Sequence, residues 1–140
     1  MKQRLFVLDT WALLALLQKE EPAASRVKQL LEEAQDEHLK LFLSVINLGE
    51  VYYRIGKVKG ESEAQKTLEE IRLLALTLVP ATEERVFAAA GFKIRHTISY
   101  LDAFAVATAD ELGAVLVTGD PELEQLQDEI KLERLSRGKR

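Results

Sequence analysis

Short runs of β-prone apolar residues alternate along this chain with longer stretches of helical periodicity, and that alternation is what most restricts its fold. Leu5 to Leu8 predict a buried strand, and a helix is expected from about Thr10 to Gln18. Pro22 opens a second helix, with Ala23, Val27, Leu30, Leu31 and Ala34 on its inner face. Leu41 to Ser44 predict strand two, and Val45 to about Ile55 are helical again, before Gly56 and Gly60 bracket a basic turn, KVK. A helix from Glu61 to Ala75 leads to a third strand, Leu76 to Val79, stopped by Pro80. Thr82 and Ser99 each start a helix, and Gly113 ends the latter, as glycine after a last turn commonly does. Ala114 to Val117 predict strand four, a short helix follows Asp120, and a short weak strand is expected near Ile130 to Leu132.

Strands alternating with helices imply right-handed crossovers. The fold class is therefore α/β: a mostly parallel central sheet of four to five strands with helices on both faces, a Rossmann-like three-layer arrangement. A chain of 140 residues, 47 % hydrophobic, suits a single domain over residues 1–135, with a short basic tail, SRGKR, at 136–140. The absence of cysteine excludes disulfides, thiolate zinc sites and cysteine nucleophiles, and two histidines, His38 and His96, make a multi-histidine metal site a poor expectation. A net charge of −4 is no nucleic-acid signature by itself, although bound cations and local basic patches offset acids. No apolar run approaches the roughly 18 residues that span a membrane. The start, MKQRLFVLDTWALLALL, has the outline of a signal peptide, but Asp9 interrupts it and Glu20 and Glu21 follow, so a cytoplasmic protein is expected.

In such folds ligands sit outside the carboxyl ends of the strands. Strand one ends in Asp9, and strand four runs into Thr118-Gly119-Asp120. Glu50 lies about two turns into the helix after strand two, and Asp102 in the first turn of the helix before strand four. Each acid also has an ordinary structural explanation. Asp9 and Asp120 are good helix starts, Asp120 being followed by Pro121 and Glu122; Asp102 completes a capping box with Ser99. Glu50 could pair with Arg54 on a solvated stripe with Asn47 and Lys57. Taken together, four carboxylates converging on one sheet edge repel one another, and a divalent cation relieves that repulsion. Oxygen ligands without histidine or cysteine suit Mg²⁺ or Mn²⁺, and such sites support phosphodiester hydrolysis.

The LDT ending strand one, INLGEV on the third helix and the run SYLDAFAVATADELGAVLVTGD resemble the PIN domain, and within it the VapC-type toxins of toxin–antitoxin pairs. The resemblance covers roughly residues 4–135. It implies a Mg²⁺- or Mn²⁺-dependent endoribonuclease whose acidic site is Asp9, Glu50, Asp102 and Asp120. Thr10 would lie beside the first acid, Thr118 would orient the last, and Glu122 is a possible fifth acid. It further implies a structured RNA substrate such as tRNA or rRNA, products with 5′-phosphate and 3′-hydroxyl ends, a homodimer, and a cognate antitoxin covering the active-site groove. Many relatives carry asparagine where Gly119 stands and an aromatic residue where Leu123 stands.

Arg54, Lys57, Lys59 and Lys66, with Tyr52 and Tyr53, are candidates for an RNA- or partner-contacting edge, or for solvated helix ends. Trp11 is expected in packing, His96 at a helix end and His38 in a surface loop. Two further function classes stand beside the nuclease. A phosphoacceptor needs an aspartate after strand three, where Pro80 and Ala81 stand; a haloacid-type phosphatase needs D-x-D, where this chain has Asp9-Thr10-Trp11. A catalytically inactive PIN-like binding module would keep the fold and the partner groove without the chemistry.

Overall fold

A computed structural model describes residues 3–136 and residue 138. The strands are β1 (Arg4–Leu8), β2 (Leu39–Ser44), β3 (Thr77–Val79), β4 (Val115–Thr118) and β5 (Leu132–Arg134). They form one sheet in the order β3-β2-β1-β4-β5, and every pairing is parallel. The helices are α1 (Thr10–Leu17), α2 (Ala23–Gln35), α3 (Val45–Lys59), α4 (Glu61–Arg72), α5 (Glu83–Arg95) and α6 (Tyr100–Leu112), with a 3-10 helix at Pro121–Leu126. Among the described residues no helix is long and apolar enough to cross a membrane. The expected basic tail falls largely on residues 137, 139 and 140, outside the described residues.

The central strands are largely apolar on both sides because helices cover both faces. Phe6 and Leu8 of β1, Leu39, Leu41 and Leu43 of β2 and Val117 of β4 pack with α1, α2, and parts of α3 and α4. The intervening Val7 and Leu116 pack with α5, α6 and the 3-10 helix. Successive residues of one strand thus enter different cores, as the two-residue period of a strand requires.

Several boundaries differ from the sequence expectation, β2 for one beginning at Leu39 rather than Leu41. The segment KVK is the last turn of α3 rather than a loop, since α3 runs on through Gly56 to Lys59. Gly56 brings α3 close to α4, where Ala64 Cβ would stand 3.6 Å from an added side-chain carbon. Gly60 makes the break instead, with φ of 93°. Lys57 and Lys59 then sit at the negative end of the helix dipole, which favours them. Helix α4 stops at Arg72, short of Ala75. Strand β5 is Leu132–Arg134, because Ile130 is buried against the α5–α6 side and pairing with β4 begins at Leu116↔Leu132.

A side-chain fork anchors this short edge strand. Arg26 of α2 donates from Nε and Nη2 to the two carboxylate oxygens of Glu133, at 2.6 and 2.9 Å. Both side chains are about one-third exposed, so water screens the pair, but the bidentate geometry favours it. A double-mutant cycle of Arg26→Met and Glu133→Gln in urea denaturation is expected to give a coupling of about 1 kcal/mol. Additive single effects would show the fork to be energetically idle.

Candidate functional site

Parallel pairing places Leu8 of β1 opposite Val117 of β4, so both strands end at the same edge. The connections from these two central neighbours run outward in opposite directions, which opens a crevice at their carboxyl ends. Asp9 follows β1 directly and is 1 % exposed. Its Oδ1 accepts from the Ala12 N–H at 2.8 Å and caps α1. Its Oδ2 is buried without a hydrogen-bond partner among the described residues.

Asp120 caps the 3-10 helix, with Oδ1 accepting from the Glu122 N–H at 3.0 Å, while its own N–H donates to Thr118 Oγ1 at 3.0 Å. On the other side, Ser99 Oγ accepts from the Asp102 N–H at 3.1 Å and caps α6. Asp102, Asp120 and Glu122 each present one carboxylate oxygen, and the three oxygens lie within 4.8 Å of one another. The helix-start explanation of Asp9 and Asp120 and the convergence of acids are therefore both true. A carboxylate has two oxygens, and capping occupies one.

Charge is unfavourable in this crevice. Burial pushes the Asp9 carboxyl up to about 7; Asp120 and Glu50 push the same way, and the Thr118 hydroxyl and Ala12 N–H oppose them. Burial also raises Asp102 to about 7, with a hydrogen bond shared with Asp120 and the charges of Asp120 and Asp9 adding to it. Glu50 stands outside the tight group of three, yet its charge reaches Asp9. Its Oε2 is 3.4 Å from Arg54 Nε, the pairing expected if Glu50 were structural. It does not, however, lie on a solvated stripe: Glu50 is 9 % and Asn47 1 % exposed.

The donor set fits a hard divalent cation. It is all oxygen, burial disfavours the charged forms of Asp9 and Asp102 in a way a cation would offset, and Asp9 Oδ2 lies in the interior without a partner among the described residues.

The basic candidates are on the α3–α4 hairpin. Arg54 is tied to Glu50, Lys57 Nζ lies 5.8 Å from the centre of the exposed Tyr53 ring, and Lys66 pairs with Glu63. Lys59 is exposed at the end of α3, and the Tyr52 hydroxyl accepts from Gln65. His96 ends α5 and faces Glu129 at 3.1 Å; His38 is exposed before β2. Trp11 packs as expected, but in an unforeseen place: its benzo ring lies directly over Gly119, beside Asp120. Asn47 is buried rather than solvated because α6 packs over it, its Nδ2 donating to the Leu101 carbonyl at 3.1 Å.

The family model described as PIN domain matches residues 6–129 of this chain. Solved structures with the same fold include VapBC2 from Rickettsia felis bound to a DNA fragment from its promoter, at 18 % identity and TM-score 0.71, covering 94 % of this chain and 99 % of that one. VapBC-1 from nontypeable Haemophilus influenzae is 20 % identical with TM-score 0.69, over 93 % and 97 % of the two chains. VapC20 from Mycobacterium tuberculosis, a Sarcin-Ricin loop cleaving toxin, is 18 % identical with TM-score 0.68, over 86 % and 93 %. No curated protein sequence matches significantly.

Proposed function

The chain belongs to the PIN domain family, and on that premise we propose that it is a Mg²⁺- or Mn²⁺-dependent endoribonuclease, the toxin of a toxin–antitoxin pair. The observation that carries this is the convergence of Asp102, Asp120 and Glu122, with Asp9 close enough for its charge to act on Asp102 and one buried Asp9 oxygen left without a partner among the described residues. Asp102, Asp120 and Glu122 would hold the cation together with Asp9, and Glu50 would complete the charge around it. When bound, a divalent cation lowers the pKa of water and neutralises charge on phosphate oxygens. The chain's part is to present ionised oxygens on rigid strand and helix ends. Thr118 fixes the backbone of Asp120, and Thr10 seats the turn after Asp9 through a hydrogen bond to the Asn47 carbonyl at 3.3 Å.

Two of the structural neighbours are VapBC complexes, which supports a protein antitoxin as partner. The α3–α4 hairpin suits contact with RNA or with that partner, since it exposes Tyr53 and Val58 beside Arg54, Lys57 and Lys59. The further proposals are a structured RNA substrate such as tRNA or rRNA, a homodimer and a cytoplasmic location. The Arg54–Glu50 pair and the helix caps favour one other reading, an inactive PIN-like binding module, because they give three of the acids a structural use.

Calorimetric titration with Mn²⁺ and cleavage of a tRNA and rRNA pool, with and without EDTA, separate the two. The expected result is cation binding together with EDTA-sensitive cleavage leaving 5′-phosphate ends. Cation binding with intact RNA would leave the binding module; no binding would leave the acids as caps and an ion pair.

A further inference from the structure

Asn47 is the only asparagine in the chain, and it is 1 % exposed. Its Nδ2 donates to Thr10 Oγ1 at 3.2 Å and to the Leu101 carbonyl at 3.1 Å. A carbonyl only accepts, so the Leu101 bond fixes which end of the amide is nitrogen. The Thr10 hydroxyl in turn donates to the Asn47 carbonyl at 3.3 Å. Asn47 Oδ1 is left buried with no hydrogen-bond partner among the described residues, a desolvation cost that a leucine at the same place would not carry.

The three segments joined here carry three of the acids, Asp9, Glu50 and Asp102. Thr10 follows Asp9, Leu101 precedes Asp102, and Asn47 lies one helical turn before Glu50 on α3. One side-chain amide thus ties α1, α3 and α6 together beside the acidic crevice. Resting on the proposed metal site, we infer that Asn47 is a positioning residue, which sets the spacing of Asp9, Glu50 and Asp102 for the cation through its bonds to Thr10 and Leu101.

Groups that orient metal ligands typically change affinity by about 10- to 100-fold when removed. Mn²⁺ calorimetry on wild type, Asn47→Leu, Thr10→Val and the double variant tests the inference, with folding checked by circular dichroism. Asn47→Leu is expected to fold and to bind Mn²⁺ about 10- to 100-fold more weakly. Thr10→Val should weaken binding in the same direction, and the double variant should lose less than the product of the two single losses, because one tie is broken twice. If Asn47→Leu does not fold, Thr10→Val, which removes only the hydroxyl's bonding, carries the same expectation alone. Wild-type Mn²⁺ affinity in the folded variants, whatever their melting temperatures, would overturn the positioning role and leave the metal site standing. Absence of Mn²⁺ binding by wild type would overturn the site and this inference with it.

Discussion

Asp9→Asn is expected to reduce RNA cleavage by about 10³-fold or more while making the metal-free protein more stable at neutral pH. The loss follows from the proposed role, since cation stabilisation of transition-state charge is worth several kcal/mol, and each 1.4 kcal/mol is about tenfold in rate. The gain follows from burial. Asp9 has its pKa raised from 3.8 to about 7 in the folded protein. Between those values the folded chain holds a proton that the unfolded chain has released. Stability of the metal-free protein therefore falls as pH rises from about 4 to about 7, and Asp102 acts in the same direction.

Asparagine removes the buried charge and keeps an oxygen for the Ala12 N–H, so the α1 cap survives. Urea denaturation in EDTA at pH 8 should show Asp9→Asn more stable than wild type by on the order of 2–4 kcal/mol. Mn²⁺ should reverse the pH trend for wild type, because the cation competes with protons for the same oxygens, and should leave the variant unchanged. A variant less stable than wild type in EDTA would show that the Asp9 carboxylate stabilises the fold more as a cap than its burial costs. A variant cleaving at the wild-type rate would remove Asp9 from the chemistry.

Gly119→Asn is expected to cost about 1–3 kcal/mol of stability or more. A side-chain carbon at Gly119 would stand 2.3 Å from Trp11 Cη2 and 2.4 Å from Cζ2 and Cζ3. Those separations are far inside van der Waals contact, and an indole is a rigid plate that must rotate as a whole to escape. Glycine at 119 and tryptophan at 11 are thus one structural choice. Denaturation of Gly119→Asn, Trp11→Ala and the double variant should give a coupling of about 1–3 kcal/mol, with the double variant more stable than the sum of the singles predicts. Additivity would mean that Trp11 swings aside without cost. Because Gly119 lies between Thr118 and Asp120, the same substitution should also weaken Mn²⁺ binding, and restoring space at Trp11 should recover part of it.

The architecture was legible because strand runs and helical periods are local signals, and parallel strands buried on both faces need continuous apolar segments such as Phe6-Val7-Leu8. The placement of Asp9 and Asp120 was legible because strand ends are recognisable and ligands gather there. Gly56 misled because a glycine inside a helix and a glycine ending one are the same letter; only contact with Ala64 of α4 distinguishes them. Ile130 misled because an apolar residue before a short edge strand is equally suited to the core.

By itself the sequence determined the alternation of elements, the parallel sheet and the delivery of Asp9 and Asp120 to strand ends, all of which depend on neighbours a few residues apart. The tertiary structure alone decided that Asn47 is buried under α6, that Glu122 joins Asp102 and Asp120, and that Trp11 covers Gly119. These depend on which helix crosses which, and on atoms brought together from residues distant along the chain. A local pattern carries no trace of such meetings, because the energies that fix them, burial and hydrogen bonding between elements, arise only when the elements pack.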